Sequence, residues 1–543
     1  MSSIEPLLVQ GKSHFVLPFV TKENNKIVTP IKVEKLAIWL DGYEKKDYIL
    51  DGFTNGFRVG YTGHPASIVY KNHKSATQQP ETIKDYIAKE IEAGRIIGPL
   101  NSLPSNFHCA PIGVVPKKEK DEYRVIHDLS YPEGQSINDF IPPEHTAVSY
   151  QSVYDAVKML VEVGDGAYMS KTDIQKAFRI IPIHPDDQHL FCMVWEDQCY
   201  MDLAMQMGCS SACQIFQAFS DAIKWIAEYK LKIPNVNYLD DFMLGSKTRK
   251  LGDSNLKIFL QMCDDIGVPI SEKKTFGPET KMTFLGIEID TIKRQVRLPL
   301  EKVQRCVTEI EDLISRKKAR LKKLQSIIGL LNFACQVVLP GRAFLRRLIN
   351  LTIGYKALHH WIQIKPAVED LKVWLHFLKN HNGKIFFVDE QYISNHEVDL
   401  YTDSSGSLGF GALFGKCWFS GTWSQWWLNQ NITTLELYPI VLALEIWGHL
   451  LTNKRLRLFT DNIALVYILT KQTAKEEAVM ILMRRLVFTC LKNNIVLEAK
   501  HVLGRNNVLC DLLSRRQVEK FFQLFPGANK MPEAIPELPP CLI

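Results

Sequence analysis

The stretch NYLDDFMLG sets two adjacent acids, Asp240 and Asp241, between an apolar approach and an apolar return. A chain that buries both flanks has to reverse at the acids, which predicts a β-hairpin lifting two carboxylates to one edge of a sheet. Like charges side by side and out of water are costly unless a cation neutralises them. Hard carboxylate oxygens suit magnesium, and a third acid, Asp173, ends the strand-like run AYMSKTDI upstream. By itself the pair reads equally well as a solvated acidic turn.

With 543 residues the chain has room for three or four domains, each with its own core. A hydrophobic fraction of 46% and a charged fraction of 23% are those of a globular protein, which argues against a fibrous or largely disordered one. The net charge of +6 is compatible with a polyanionic partner but does not identify one. The twelve cysteines include no CxxC pair, and Cys209 and Cys213 lie one turn apart with no histidine beside them, so reduced thiols are expected rather than zinc. No basic stretch followed by an apolar one opens the sequence, which argues against a secretory signal. The longest apolar helix candidate, IVLALEIWGHLL from Ile440, is interrupted by Glu445 and reads as too short for a bilayer. An intracellular protein, in cytoplasm or nucleus and without a membrane partner, is expected.

Pattern changes divide the chain. Residues 1–80 read as an N-terminal extension of mixed pattern with no assignable chemistry. From 81 to 295, strand-like runs (Ile112 to Val115, Tyr123 to Ile126, Tyr168 to Ile174, Val236 to Leu239) alternate with helical ones. Over 296–395 the period becomes helical, with Val303, Cys306, Val307, Ile310, Leu313 and Ile314 on one face. The basic run SRKKARLKK from Ser315 follows, and on pattern alone it is a solvated helix face. Residues 396–516 form a strand-rich block with helices, and 517–543 read as a proline-rich tail.

That later block holds four more acids: Asp403 after an apolar strand, Glu436 at the start of a helix, Asp461 after another strand, and Asp511 near the opening of a last helix. Any one of them is ordinarily a cap or turn residue. Four carboxylates gathered together would hold two divalent ions able to activate water.

In the order they occur, these pieces resemble reverse transcriptases. The dipeptide Lys117–Lys118 and Arg124 of YRVIHDLS are similar to the fingers residues that hold an incoming triphosphate. TDIQKAFRIIPIHPDD resembles the first catalytic motif, and YLDD at Tyr238 to Asp241 the second. MQMGCSSACQIFQAF, with Met207 and Gly208, resembles the template and nucleotide-binding motif, and TFLGIEID the primer grip. Gln206 departs from the proline usual there. Ala212, Ile215, Phe216, Phe219, Ile223 and Ile226 make a helical core face, leaving Gly208 for close approach of a base pair. The resemblance implies a multidomain α+β protein: a right-hand polymerase of fingers, palm and thumb, then an RNase H-like α/β domain. It further implies Asp173, Asp240 and Asp241 as ligands of two Mg2+ or Mn2+ ions, and Phe178 as the residue that senses the sugar. An aromatic core residue is the plain alternative for Phe178.

The later acids are similar to the Asp-Glu-Asp-Asp set of RNase H, again with two ions, and His501 matches a position that assists turnover, where a loop histidine is the plain alternative. Expected partners are an RNA template, a DNA primer, RNA–DNA hybrid and dNTPs, with the basic run and Arg342, Arg346 and Arg347 at the duplex backbone. VIHDLSYPEGQSINDFI, LELYPIVLALEIWG, AKHVLGRNN and CDLLSR resemble DIRS-type and Ngaro retrotransposons, whose tyrosine recombinase and capsid-like protein would be encoded separately. The other class of function is a host-retained copy that binds nucleic acid without catalysis; lost acids would have favoured it, and all seven are present.

Overall fold

The computed structural model describes residues 27–64, 67–101, 104, 106–117, 122–380, 384–385, 393–452, 454–460, 462–472, 474–493, 495–501 and 507–536. Two of the expected site residues, Lys118 and Asp461, lie outside them. The chain forms two compact units, Met1–Leu285 and Gly286–Ile543.

The first unit is built on a four-stranded antiparallel sheet in the order Phe276–Glu279, Tyr168–Asp173, Asp241–Ser246, Asn235–Tyr238. Three helices pack on it. Val153–Val163 starts at a capping box of Ser152 and Asp155. Ala212–Trp225 buries the predicted apolar face. Arg249–Ile266 is capped by Thr248 at its start and ends at Gly267, whose φ of 81° gives the left-handed stop. Phe216, Phe219, Ile223, Phe242, Leu244 and Phe259 join in one core. Leu36, Leu40, Ile49 and Phe53 belong to that core too. The described part of residues 1–80 is therefore no separate extension: its helices Val33–Trp39 and Lys46–Asn55 complete the hydrophobic layer. A second sheet, of five strands, and the hairpin of Ile112–Pro116 with Tyr123–His127 make up the rest.

In the second unit, helix Leu300–Arg316 buries Val303, Cys306, Ile310 and Leu313, as the periodicity predicts. The basic run that begins at its last turn is helical only at its two ends. Lys317 has φ 59° and breaks the helix, Lys318–Arg320 is a strand paired with Trp361–Gln363, and the next helix begins at Leu321. Helix propensity of Lys and Arg is overridden here by pairing with a segment about forty residues on, which a local pattern does not reveal.

Residues 393–536 carry two three-stranded sheets. One is antiparallel (Leu400–Ser404, Gly409–Phe414, Cys417–Thr422), the other parallel (Ile393–Ser394, Arg455–Thr460, Val496–His501). Helix Ile432–Trp447 packs beside them and continues as a 3-10 turn to Leu451, beginning earlier than the sequence suggested. Residues 432–451 are long and apolar enough to cross a bilayer, but 72% of the apolar window is buried inside this domain, where it serves as the core helix. The expected tail, 517–543, is in its described part a structural element: Phe521 packs against Trp418, and the Trp418 indole donates to the carbonyl of Asn529 at 2.7 Å. The cysteines described are free thiols, as expected.

Candidate active sites

Strand register brings the first three acids together. Asp241 pairs directly with Asp173 at the end of neighbouring strands, and Asp240 occupies the reversal between Asp241 and Tyr238. The Ile174 amide donates to the Asp240 carbonyl at 2.9 Å, fixing the turn to the Asp173 strand. The turn is strained, because Leu239 adopts φ 51°, a region that costs a branched residue about 1–2 kcal/mol. Helix Ala212–Trp225 compensates. Gln217 accepts from the Leu239 amide at 2.9 Å, and Ser220 donates to the Leu239 carbonyl at 2.6 Å. Asn237 ties both sides by donating to Ser220 and Asp221.

Positive charge is already drawn to these carboxylates. Lys274 Nζ lies 2.8 and 3.0 Å from the two oxygens of Asp173, and Lys171 Nζ lies 3.1 Å from Asp241. Burial, and then the neighbouring charges of Asp173 and Asp241, push the Asp240 carboxyl up to about 6. Among the described residues no three carboxylate, imidazole or thiol groups converge tightly enough to hold an ion as they stand. With two carboxylates turned to ammonium groups and a third reluctant to ionise, the cluster still lacks positive charge. Its all-carboxylate donor set fits magnesium or manganese.

The expected substrate residues divide. Arg124 Nη1 reaches the sulfur of Met207 at 3.4 Å, joining the hairpin of Ile112–Pro116 and Tyr123–His127 to the 205–208 loop. Lys117 is paired with Glu122 at 2.8 Å across the open end of that hairpin, an exposed contact that a stronger anion can displace. Phe178 lies in a short turn, Ala177–Ile180, straight after the Asp173 strand, and its ring meets Phe216 at 5.4 Å. It is only partly buried, so core packing and an exposed edge coexist. Gly208 has a packing reason beside the expected one: a Cβ there would lie 2.6 Å from the His127 carbonyl, so the glycine admits the strand Tyr123–His127.

Sequence reasoning missed the buried ionic network under this loop. Arg179 donates to Glu90 and to Asp202 at 2.8 Å, Arg95 donates to Glu90 at 2.6 and 2.7 Å, and Gln206 donates to Asp202 at 3.1 Å. Burial raises the Glu90 carboxyl, but the two guanidinium groups outweigh it and hold it down at about 2. Gln206, the departure from the usual proline, thus holds the loop by a polar tie. Nothing local marks these residues, which are brought together only by the fold.

Two of the later acids, Asp403 and Glu436, line a cleft of about 600 Å3 between the two three-stranded sheets. Asp403 ends its strand and accepts from Ser514 Oγ at 2.6 Å. Burial raises its carboxyl, opposed by the Ser514 hydrogen bond and helped by the charge of Asp511. Glu436 accepts from Asn462 at 3.0 Å, and Asn462 caps helix Ile463–Lys471, so the residue next to position 461 touches the acid of the core helix. Asp511 sits in the first turn of helix Val508–Ser514 and is paired with Arg515 at 2.7 Å. His501 is exposed and lies opposite Thr460, at the strand end that leads to position 461. Asn395, which the sequence did not single out, bridges the sheets: its side-chain amide donates to the Leu400 carbonyl and accepts from the Phe459 amide. Arg347, expected at a nucleic-acid backbone, instead turns to the buried Asp370 at 3.4 Å.

Residues 115–289 match the family described as reverse transcriptase (RNA-dependent DNA polymerase), and residues 393–486 match the RNase H-like domain found in reverse transcriptase. The Transposon Tf2-3 and Tf2-7 polyproteins of Schizosaccharomyces pombe are 21% identical over 514 residues, covering 92% of this chain and 34% of theirs. The chain thus spans about a third of the length of these relatives. Among solved structures, a foamy viral protease-reverse transcriptase in complex with double-stranded DNA aligns over 88% of this chain and 83% of its own, with TM-score 0.51 and 18% identity. The same viral protein in complex with RNA/DNA hybrid aligns over 87% of this chain and 63% of its own, with TM-score 0.50 and 16% identity. The fold is the expected multidomain α+β one, a reverse-transcriptase domain followed by an RNase H-like domain.

Proposed function

We propose that this chain, a retroelement reverse transcriptase with an RNase H-like domain, copies an RNA template into DNA from a primer and cleaves the RNA strand of the resulting hybrid. The observation that carries this reading is the pairing of Asp173 with Asp241 across the sheet, with Asp240 at the reversal between the strands. Two divalent ions held there by Asp173, Asp240 and Asp241 would supply activation of a primer 3′-hydroxyl and neutralise the departing pyrophosphate. Lys274 and Lys171 pair beforehand with the carboxylates of Asp173 and Asp241. Arg124 and Lys117, with Lys118, bring positive charge to a triphosphate, and Met207 supports Arg124 from the loop below. Phe178 presents its ring edge where a ribose 2′-hydroxyl would crowd it. In the second domain Asp403, Glu436, Asp461 and Asp511 would hold the ions for RNA hydrolysis, with His501 at the rim to assist product turnover.

The finer assignment, to a DIRS-type element with a separately encoded tyrosine recombinase and capsid-like protein, rests on the sequence wording in 125–141, 435–448 and 499–515. The curated relatives, by contrast, are of the Tf2 kind. Residues 296–395 serve as thumb and connection in this reading, and the chain works inside the cell.

Primer extension on RNA and on DNA templates, with and without magnesium, tests the reading. Metal-dependent extension on RNA, abolished in Asp240→Asn while hybrid binding persists, is expected. Extension by that variant at the wild-type rate would refute the metal site. Hybrid binding without any extension by the wild type would favour the catalytically idle copy.

A further inference from the structure

The two-stranded ribbon of Lys318–Arg320 and Trp361–Gln363 alternates by strand geometry. Ala319 and Ile362 face inward and are buried, whereas Lys318, Arg320, Trp361 and Gln363 are exposed. Arg320 lies directly across from Trp361. The Lys318 ammonium and the Arg320 guanidinium stand 5.3 and 5.4 Å from the Trp361 ring centre, yet the ring remains 51% exposed. Lys317 and Lys322 flank the ribbon and are also exposed. Just before Trp361, Tyr355 stacks on His360 with ring centres 4.4 Å apart, and Tyr355 is 44% exposed. An exposed tryptophan fixed in a basic ribbon, with a second stacked ring pair nearby, has no packing explanation.

We infer that this ribbon is a binding platform for single-stranded nucleic acid, in which an unpaired base stacks on Trp361 while Lys318 and Arg320 take the adjoining phosphates. The chemistry selects a single strand over a duplex. A ring needs the open face of a base, which pairing and stacking in a duplex hide, whereas every unpaired base presents one. The two cations already oriented by the ring lose little freedom on meeting phosphates. The inference deepens the proposed function by giving the enzyme a hold on unpaired strand made by residues that belong to neither set of carboxylates.

Binding of labelled, unstructured oligothymidylate and of a blunt RNA–DNA hybrid to the full chain, without divalent metal, tests it. Trp361→Ala should bind the oligothymidylate about five- to a hundredfold more weakly and the hybrid as well as the wild type. Trp361→Phe, which keeps a stacking face, should recover most of that affinity. Replacing Lys318 and Arg320 by glutamine should flatten the salt dependence of single-strand binding by about 0.7 for each phosphate no longer neutralised. Unchanged oligothymidylate affinity in Trp361→Ala overturns the platform, as does an equal weakening on both ligands. Because no catalysis is read, a chain that shows this pattern but never extends a primer would refute the proposed function and leave the platform standing.

Discussion

Asp240 contributes most to the fold when it carries a proton. An unfolded aspartate ionises near its ordinary value of about 3.9, whereas in the folded chain burial and two neighbouring carboxylates delay ionisation to about 6. The folded state therefore holds the proton more tightly, and the associated stability is present in acid and lost as pH rises through this window. Thermal unfolding in a chelator should find Asp240→Asn melting above the wild type near neutral pH, the gap closing toward about pH 4. Magnesium should raise the wild-type midpoint by more than that of the variant, which keeps the acids of the second domain. A variant that melts lower at neutral pH would mean that Asp240 is compensated in a way the three carboxylates and Lys274 do not account for. Phe178 makes the second test at this scale. With one face on Phe216 and an edge left open, Phe178→Val should lose modest stability and admit ribonucleotides about ten- to a hundredfold more readily. Single-nucleotide incorporation of dNTP against rNTP measures it, and an unaltered ratio leaves Phe178 a core residue only.

The hairpin of Asn235–Tyr238 and Asp241–Ser246 is legible in the sequence because apolar alternation and a pair of acids are local signals. What holds it is not. Gln217 and Ser220 are ordinary polar residues on a helix, and only folding reveals that both serve the strained Leu239. Gln217→Ala should leave the Leu239 amide unpaired in a partly buried place, costing about 1–3 kcal/mol in urea unfolding and lowering the fraction of molecules that extend a primer. Undiminished stability would place the support of the turn elsewhere. The basic run after Arg316 hides its structure for the same reason. Its composition is that of a helix, but its partner strand lies at 361–363, beyond any local window. Asp403, Glu436 and Asp511 are legible as acids at element ends, whereas Asn395, which joins their two sheets, carries no motif.

At the scale of the chain, the two sets of carboxylates belong to different compact units, and the proposed function makes their chemistries separable. Asp403→Asn should abolish cleavage of RNA in a hybrid while primer extension continues unchanged; loss of both activities would contradict independent sites. Boundaries are the least legible feature, since residues 33–55 and 518–529 carry short apolar stripes whose burial depends on distant strands. The pairing of Asp173 with Asp241 also governs how such a protein fails. A slip of one residue in that register would turn Phe242 and Leu244 out of the core at the same moment that it parted the two carboxylates. Damage to the hairpin should therefore thin the population of working molecules without slowing the survivors. Counted by a single-turnover burst, a weakened preparation would contain fewer active centres, each turning over at full speed.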